Sequence, residues 1–368
     1  MRVTGYGRRV GATLVVAALA VVASGCSNGV ERNPKQALAN AGGKLGEYAG
    51  LTTTMRVVGD VDAIVAASKA DGKGFEREDV QTLLDSALTV SVHEGADPEK
   101  PEDDEAALLV TVAGSDDIEL RVKGKEVYLR ADVQHVLGLI DDAPPPGEIE
   151  LGIVQAEQMG LDFARPAYEG RWLHLLGVDQ LQSFAEGLTG QQAPVPDQKK
   201  VNEAAARVVG ELLRDDVTVT YAGADDVGEK VVATVGVREL VEASLEIAEA
   251  ADLPNSPLKP DELRAALDQA DLGDADIAIQ AWISDGVLRR LRLDLVALAR
   301  TLEPDEPPPS DLGPVEIELD FTEFAGGVEV PADAVDVDLF KVFGQLTGRA
   351  GGLGGGGGGG AAGDEPDA

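Results

Sequence analysis

The feature that most constrains the fold is a strict alternation of apolar and polar residues in several short segments. Within 315–321, apolar residues occupy every second position, and the alternates are Glu316, Glu318 and Asp320. Side chains of a β-strand point alternately to the two faces of its sheet, so such a segment has one apolar and one polar face. The pattern recurs in 88–93, 108–112, 118–123, 216–221 and 291–295. Because parallel strands covered on both faces are continuously apolar, it predicts an antiparallel sheet with a charged, solvated outer face.

Apolar residues at helical spacing lie between these segments. Those in 201–213 and 237–248 follow the i, i+3, i+4 spacing of an amphipathic helix, and Pro260 marks the start of another. Further helices are predicted near 34–48, 61–70, 131–140, 177–188 and 336–347. A sheet of many strands must twist and curl. The predicted class is therefore α+β, a long curved antiparallel sheet (a half-barrel) with helices packed on its apolar concave face, which they either fill or leave as a cavity.

The N-terminus is typical of a lipoprotein signal peptide, which we place at 1–25. Arg8 and Arg9 close a basic segment, and a mostly apolar stretch at 11–23 follows it. This stretch is shorter than the ~20 residues that a helix needs to span a bilayer. The arginine pair is a weak signal for twin-arginine export.

Cys26 is the only cysteine of the chain and follows the small residues Ala23, Ser24 and Gly25. This arrangement resembles a bacterial lipobox, although Ala23 stands where leucine is usual. The resemblance implies that Cys26 becomes the first mature residue and carries a lipid anchor on the extracytoplasmic face of the cell membrane. A single cysteine excludes an intramolecular disulfide. The alternative is an ordinary signal peptide with an incidental cysteine.

Composition divides the rest of the chain into three parts. Residues 26–33 form a short polar tether, and 349–368 form a glycine-rich tail that is predicted to be disordered, because it cannot bury apolar surface. Between them, 34–348 are predicted to form a single domain, in which proline-rich segments such as 143–147 and 303–310 are loops.

The charge balance limits the partners. Acidic side chains number 66 and basic ones 31, which gives a net charge of −35 at pH 7. A body this acidic repels phosphate backbones, so nucleic acid is excluded as a main partner. Hydrophobic residues make up 44% of the chain, enough for a buried core.

Motifs for catalysis or metal binding are weak. The pattern G-x-S-x-G at 25–29 straddles the cleavage site, and S-x-x-K at 256–259 lacks the S-D-N and K-T-G motifs that accompany it in penicillin-binding proteins. None of His93, His135 and His174 has a second histidine or cysteine at metal-ligand spacing, and the aspartate clusters lack the EF-hand pattern. We therefore predict a protein that is not an enzyme, with no catalytic residue, no metal and no cofactor.

Five short blocks follow one another along the chain. They are the lipobox at Cys26, a predicted hairpin at 123–129, a Gly-Arg-Trp-Leu block at 170–173, 279–283 with its following strand, and 321–331. In this order they resemble the actinobacterial lipid-carrier lipoproteins of the LppX/LprAFG type, which share a LolA-like half-barrel. The chain departs from that pattern by extra segments around 60–85 and 141–168 and by its continuation beyond Pro331.

The resemblance implies a pocket for the acyl chains of lipids or lipoglycans, with transport across the envelope as a further step. An apolar face made mostly of aliphatic residues, with aromatics at 4%, agrees with such a ligand. The candidate lining residues are Val127, Leu129, Trp172, Val219, Ile279, Trp282 and Leu293, each with ordinary core packing as its alternative. The alternative function is a non-carrier envelope scaffold with a solid core, whose protein partner the sequence does not identify.

Overall fold

The computed structural model describes residues 33–70, 74–93, 95, 103–140, 143–178, 204, 207–208, 210–214, 216–250, 264–265, 275–302, 307–310, 312–324, 326–342 and 344. The predicted signal peptide, Cys26, nearly all of the predicted tether, most of the predicted helix 177–188 and the glycine-rich segment 349–368 lie outside these residues.

The described residues include twelve strands and eight helices. The strands are β1 (Gly50–Val58), β2 (Ala87–His93), β3 (Glu105–Val112), β4 (Ser115–Lys123), β5 (Glu126–Ala131), β6 (Leu173–Leu176), β7 (Val217–Ala224), β8 (Glu229–Gly236), β9 (Asp276–Ser284), β10 (Val287–Asp294), β11 (Glu316–Glu323) and β12 (Val335–Asp338). The helices are α1 (Pro34–Leu45), α2 (Val61–Ala70), α3 (Arg77–Leu84), α4 (Val133–Gly138), α5 (Pro146–Gln158), α6 (Ala164–Tyr168), α7 (Val237–Ala250) and α8 (Leu295–Leu302).

The chain divides into two compact units. Unit 1 comprises Met1–Gly124 and Gln192–Glu329, and unit 2 comprises Lys125–Gln191 and Val330–Ala368. Unit 1 therefore combines the N-terminal part of the chain with a distant segment, and unit 2 includes the C-terminal residues.

Unit 1 is built on nine strands in the order β4-β3-β2-β1-β11-β10-β9-β8-β7. Neighbouring strands in this order all pair antiparallel. Two-residue turns join β3 to β4 and β9 to β10. Between β9 and β10, Asp285 and Gly286 both have positive φ, 55° and 71°, which a two-residue hairpin of this hand requires.

Helix α1 closes one half of the apolar face of this sheet. Its first turn is capped by Asn33, whose side chain accepts a hydrogen bond from the Gln36 N–H, and Pro34 stands at its first position. Ala37, Leu38, Ala41 and Leu45 are buried in one cluster with side chains of β7–β11. Ala41 is completely buried, so α1 approaches the sheet closely at that point.

Unit 2 contains three short strands and helices α4–α6. Strand β5 pairs antiparallel with β6, and β6 pairs parallel with β12. The sequence predicted a helix over 336–347, but Val335 and Val337 lie opposite Leu173 and Leu175 in β6, and helix begins only at 339. Valine favours the pleated, half-buried surface that this pairing offers.

The predicted α+β class is confirmed, with a long open sheet of the kind that a half-barrel requires and with a helix packed on its apolar face. Every strand predicted from alternation is present, and the helices predicted at 34–48, 61–70, 131–140 and 237–248 correspond to α1, α2, α4 and α7.

Candidate functional site

The apolar face of unit 1 consists of a closed half and an open half. A single row of facing residues crosses the sheet from β4 to β8: Ile118, Val110, Leu88, Met55, Leu319, Leu291, Ala281 and Val231. The last four are buried, with exposed fractions of 6%, 5%, 0% and 0%. The first four are only partly buried. Along this row the side chains therefore change from buried to partly buried where the row passes from β11 to β1.

The open half is a continuous aliphatic surface on β1–β4, which we call the open apolar face. It comprises Thr53, Met55, Leu88, Val90, Val92, Ala106, Leu108, Val110, Ile118, Leu120 and Val122. Val92 is 46% exposed, and all the other side chains of this surface are partly buried. Thr53 is its one polar member, so this surface offers an apolar ligand burial without directional contacts.

The opposite face of the sheet carries an ionic network centred on Glu318 of β11. Its side chain is 1% exposed, and it contacts Arg56 of β1 at 2.5 Å, Arg290 of β10 at 3.3 Å, and Arg292 of β10. Asp320 binds Arg56 and Arg290 at 2.5 and 2.6 Å. The prediction that this face is solvated is wrong at its centre, because the long arginine side chains on both neighbouring strands cover the carboxylate.

The directions in which pKa values shift on this face agree with the hydrogen bonds found there. Burial opposes the charge of Arg290, but its hydrogen bond to Asp320 and the nearby carboxylates raise its pKa. Farther along the same face, the hydrogen bond from the Trp282 Nε1–H lowers the pKa of Asp225.

Four of the predicted lining residues lie in unit 1, on both faces of its sheet. Leu293 is buried in the core shared with α1, and Val219 and Ile279 are partly buried against that core. Trp282 is 2% exposed on the ionic face, where its ring lies 4.7 Å from the Lys230 ammonium and 5.3 Å from the Arg292 guanidinium. These four residues therefore occupy two opposite faces of the unit 1 sheet.

The other three predicted lining residues lie in unit 2. Val127 and Leu129 are partly buried residues of β5 opposite Leu175 and Leu173. Trp172 precedes β6, and the Arg130 guanidinium lies 5.2 Å from its ring centroid. Their role in binding a ligand stays a prediction.

The histidines make local contacts only. His93 meets Phe324 edge to face, and His174 stacks on Tyr128 with ring centroids 4.7 Å apart and binds Asp336 through Nδ1 at 2.9 Å. Across the described part of the chain, no group of three or more His, Cys, Asp and Glu side chains is placed to hold a metal ion. Nor does any described helix have the length and hydropathy to cross a membrane.

Glu105 at the start of β3 provides a pH-dependent contact. Its carboxylate binds the Lys123 ammonium at 2.9 Å and accepts a hydrogen bond from the Val328 N–H at 2.5 Å. Burial raises the pKa of Glu105, but these two hydrogen bonds and the charge of Lys123 outweigh it and hold the pKa below its ordinary value of 4.5.

We expect Glu105→Gln to destabilise the protein at neutral pH and to have less effect in acid. The ionised form of Glu105 is favoured in the folded state, so its stabilisation is complete above the unfolded-state pKa of 4.5 and is lost as pH falls through the lower folded-state pKa. Urea denaturation of both proteins across this range measures the difference. A pH-independent difference contradicts the assignment, and Glu329→Gln, at an exposed position nearby, is the control.

The fold and the site together define a class: an α+β protein whose antiparallel sheet has one half of its apolar face buried with a helix and the other half only partly buried. No protein-family model and no curated protein matches the sequence.

Two solved structures that are similar to the chain bear the names of the group that the sequence resembles. The crystal structure of Mycobacterium tuberculosis lipoprotein LppX is 14% identical, with 81% of this chain and 100% of that chain covered and a TM-score of 0.30. The crystal structure of LprF from Mycobacterium bovis is 12% identical, with 82% and 98% covered and a TM-score of 0.32.

Proposed function

We propose that this chain is a lipid-anchored lipoprotein of the extracytoplasmic face of the cell membrane, and that it binds acyl chains of a lipid or lipoglycan on the open apolar face. The observation that carries the proposal is the row from Ile118 to Val231, in which the half on β1–β4 is only partly buried. Transport of such a ligand across the envelope is the further step implied by the sequence resemblance.

The chemistry of the open apolar face favours an acyl chain over a polar ligand. Adjacent strands are about 4.8 Å apart, so four strands span roughly 15 Å, a surface on which a hydrocarbon chain can lie. Each CH₂ group that leaves water contributes about 0.8 kcal/mol. Since the face has no charged member, this gain is not opposed by desolvation of an ion.

The test is to purify the protein from its native host and extract it with organic solvent. Mass spectrometry should find lipid in nearly equimolar amount. The alternative, a scaffold with a solid core, is favoured by the burial of Leu293 in the closed half and by the packing of Val219 and Ile279 against the same core. Lipid-free protein that also fails to take up a pyrene-labelled fatty acid would support this scaffold and reject the carrier.

The anchor is tested separately at Cys26. We expect Cys26→Ala to move the protein from the membrane fraction to the soluble fraction and to abolish incorporation of a radiolabelled palmitate, because no other thiol is present in the chain. In the lipidated protein, the acyl chains attached at Cys26 hold the chain to the membrane. More than one acyl chain is needed for stable anchoring. Unchanged membrane association of the variant contradicts lipidation at this residue.

A further inference from the structure

Strand β7 forms one end of the unit 1 sheet and pairs with β8 among the described strands. In an antiparallel pair, every second residue directs its N–H and C=O toward the neighbouring strand, and the residues between direct theirs away. The outer side of β7 therefore carries a row of backbone donors and acceptors, the arrangement to which another extended chain can add.

This edge is accessible. Thr218, Thr220, Tyr221, Ala222 and Ala224 are all exposed. Because the side chain of alanine is small, the exposure of Ala222 and Ala224 indicates that solvent reaches the backbone at these positions. The eight residues of β7 contain no acid, no base and no proline. Charged side chains, proline and β-bulges are among the means by which proteins prevent pairing at a sheet edge. β7 has no charge and no proline, and its register shift lies between Tyr221 and Ala224, so residues 217–221 form the regular part of the edge.

Acidic residues stand at both ends of the edge. Asp216 precedes β7, and Asp225 and Asp226 follow it. Asp216 and Asp226 are exposed, while Asp225 accepts the hydrogen bond from Trp282. A chain that lies along the whole strand therefore has its own two ends beside carboxylates, so basic residues at those ends are favoured.

We propose that β7 is a docking edge for a partner protein, which adds to the sheet an extended segment with an uncharged, β-branched centre and basic residues at both ends. Backbone hydrogen bonds supply the binding, and the aspartates at the two ends select for a cationic segment. This edge lies on a different strand from the open apolar face, so the inference does not depend on the proposed ligand.

A second copy of the chain fits this edge poorly. Antiparallel pairing of two β7 strands over their whole length places Asp216 of one copy near Asp225 of the other. Each chain also carries a net charge of −35, so two copies repel one another. A cationic segment meets neither obstacle.

The experiment uses three synthetic peptides with an alternating valine and threonine centre. One has two lysines at each end, one has two glutamates at each end, and the third has lysine ends and N-methyl groups on alternate backbone amides. Binding to the full-length protein is followed by fluorescence anisotropy at low salt. We expect the lysine-ended peptide to bind about threefold to tenfold more tightly than the glutamate-ended one, and the N-methylated peptide to lose binding.

A matched variant and a mapping experiment locate the contact. Asp216→Lys combined with Asp226→Lys should reverse the preference between the two unmethylated peptides without changing the urea denaturation midpoint. Amide hydrogen exchange should show new protection in β7 and none in α5. Equal binding of the N-methylated peptide, protection elsewhere, or no binding overturns the proposal. A dimer of the peptide-free protein that protects β7 overturns it in favour of a second copy.

Discussion

Replacing Glu318 by alanine is expected to lower the free energy of unfolding by about 3–5 kcal/mol, the cost typical of breaking a buried ion pair from one side. Three guanidinium groups, those of Arg56, Arg290 and Arg292, lose the carboxylate on which they converge. Asp320 continues to bind Arg56 and Arg290. The charge of Arg292 is then balanced mainly by Glu316, at 3.4 Å.

Urea denaturation followed by far-ultraviolet circular dichroism measures this effect. The matched control is Glu323→Ala on the same strand, where the side chain is exposed and the expected change is within about 0.5 kcal/mol. Replacing Glu318 and Arg292 together by methionine should cost less than Glu318→Ala, because the partner charge is removed as well. Equal stability of Glu318→Ala and Glu323→Ala would show that the network contributes nothing.

Leu108→Glu is expected to weaken binding of a pyrene-labelled fatty acid by at least about tenfold. Leu108 lies between Val90 and Leu120 at the centre of the open apolar face. A carboxylate there either loses its hydration under the hydrocarbon chain or prevents the chain from lying on the sheet, and either costs more than the ~1.4 kcal/mol that tenfold represents. The protein should remain folded, because the side chain is only partly buried.

The control is the next residue of the same strand. Leu109 is also partly buried but lies opposite Glu119 and Thr89, on the other face of the sheet. Leu109→Glu therefore introduces the same charge and should leave fatty-acid binding unchanged. If both variants bind the probe as the unmodified chain does, the acyl chain does not lie on this surface.

The strands were predictable because their signal is local. Alternation in 315–321 places β11 within two residues of its observed end, and 118–123 lies inside β4. The prediction of a helix over 336–347 was wrong at its beginning, where β12 ends at Asp338. The strand forms there because it pairs with β6, whose residues lie more than 150 positions away in the chain. Periodicity within a segment carries no information about such a partner.

The candidate site was harder to predict from the sequence than the strands were. Alternation marks Leu108 and Leu293 alike as residues of the apolar face, yet only Leu293 belongs to the core that α1 helps to close. Nor does the sequence reveal that Glu318 is covered, since Arg56 is 262 residues distant and reaches it only through the register of β1 on β11. The burial of a side chain on either face depends on strand register and on where the helices pack. Neither can be predicted from the sequence of a single segment.

The position of α1 at the beginning of the folded chain has a consequence for biogenesis. Its Lys44 ammonium binds the Asp285 carbonyl at 3.2 Å, across 241 residues, and Ala41 is completely buried in the core shared with β7–β11. During synthesis α1 is made long before the strands on which it packs. Contacts between residues so distant in the chain favour slow folding. Packing of α1 on the sheet therefore has to wait until β8–β10 have been made.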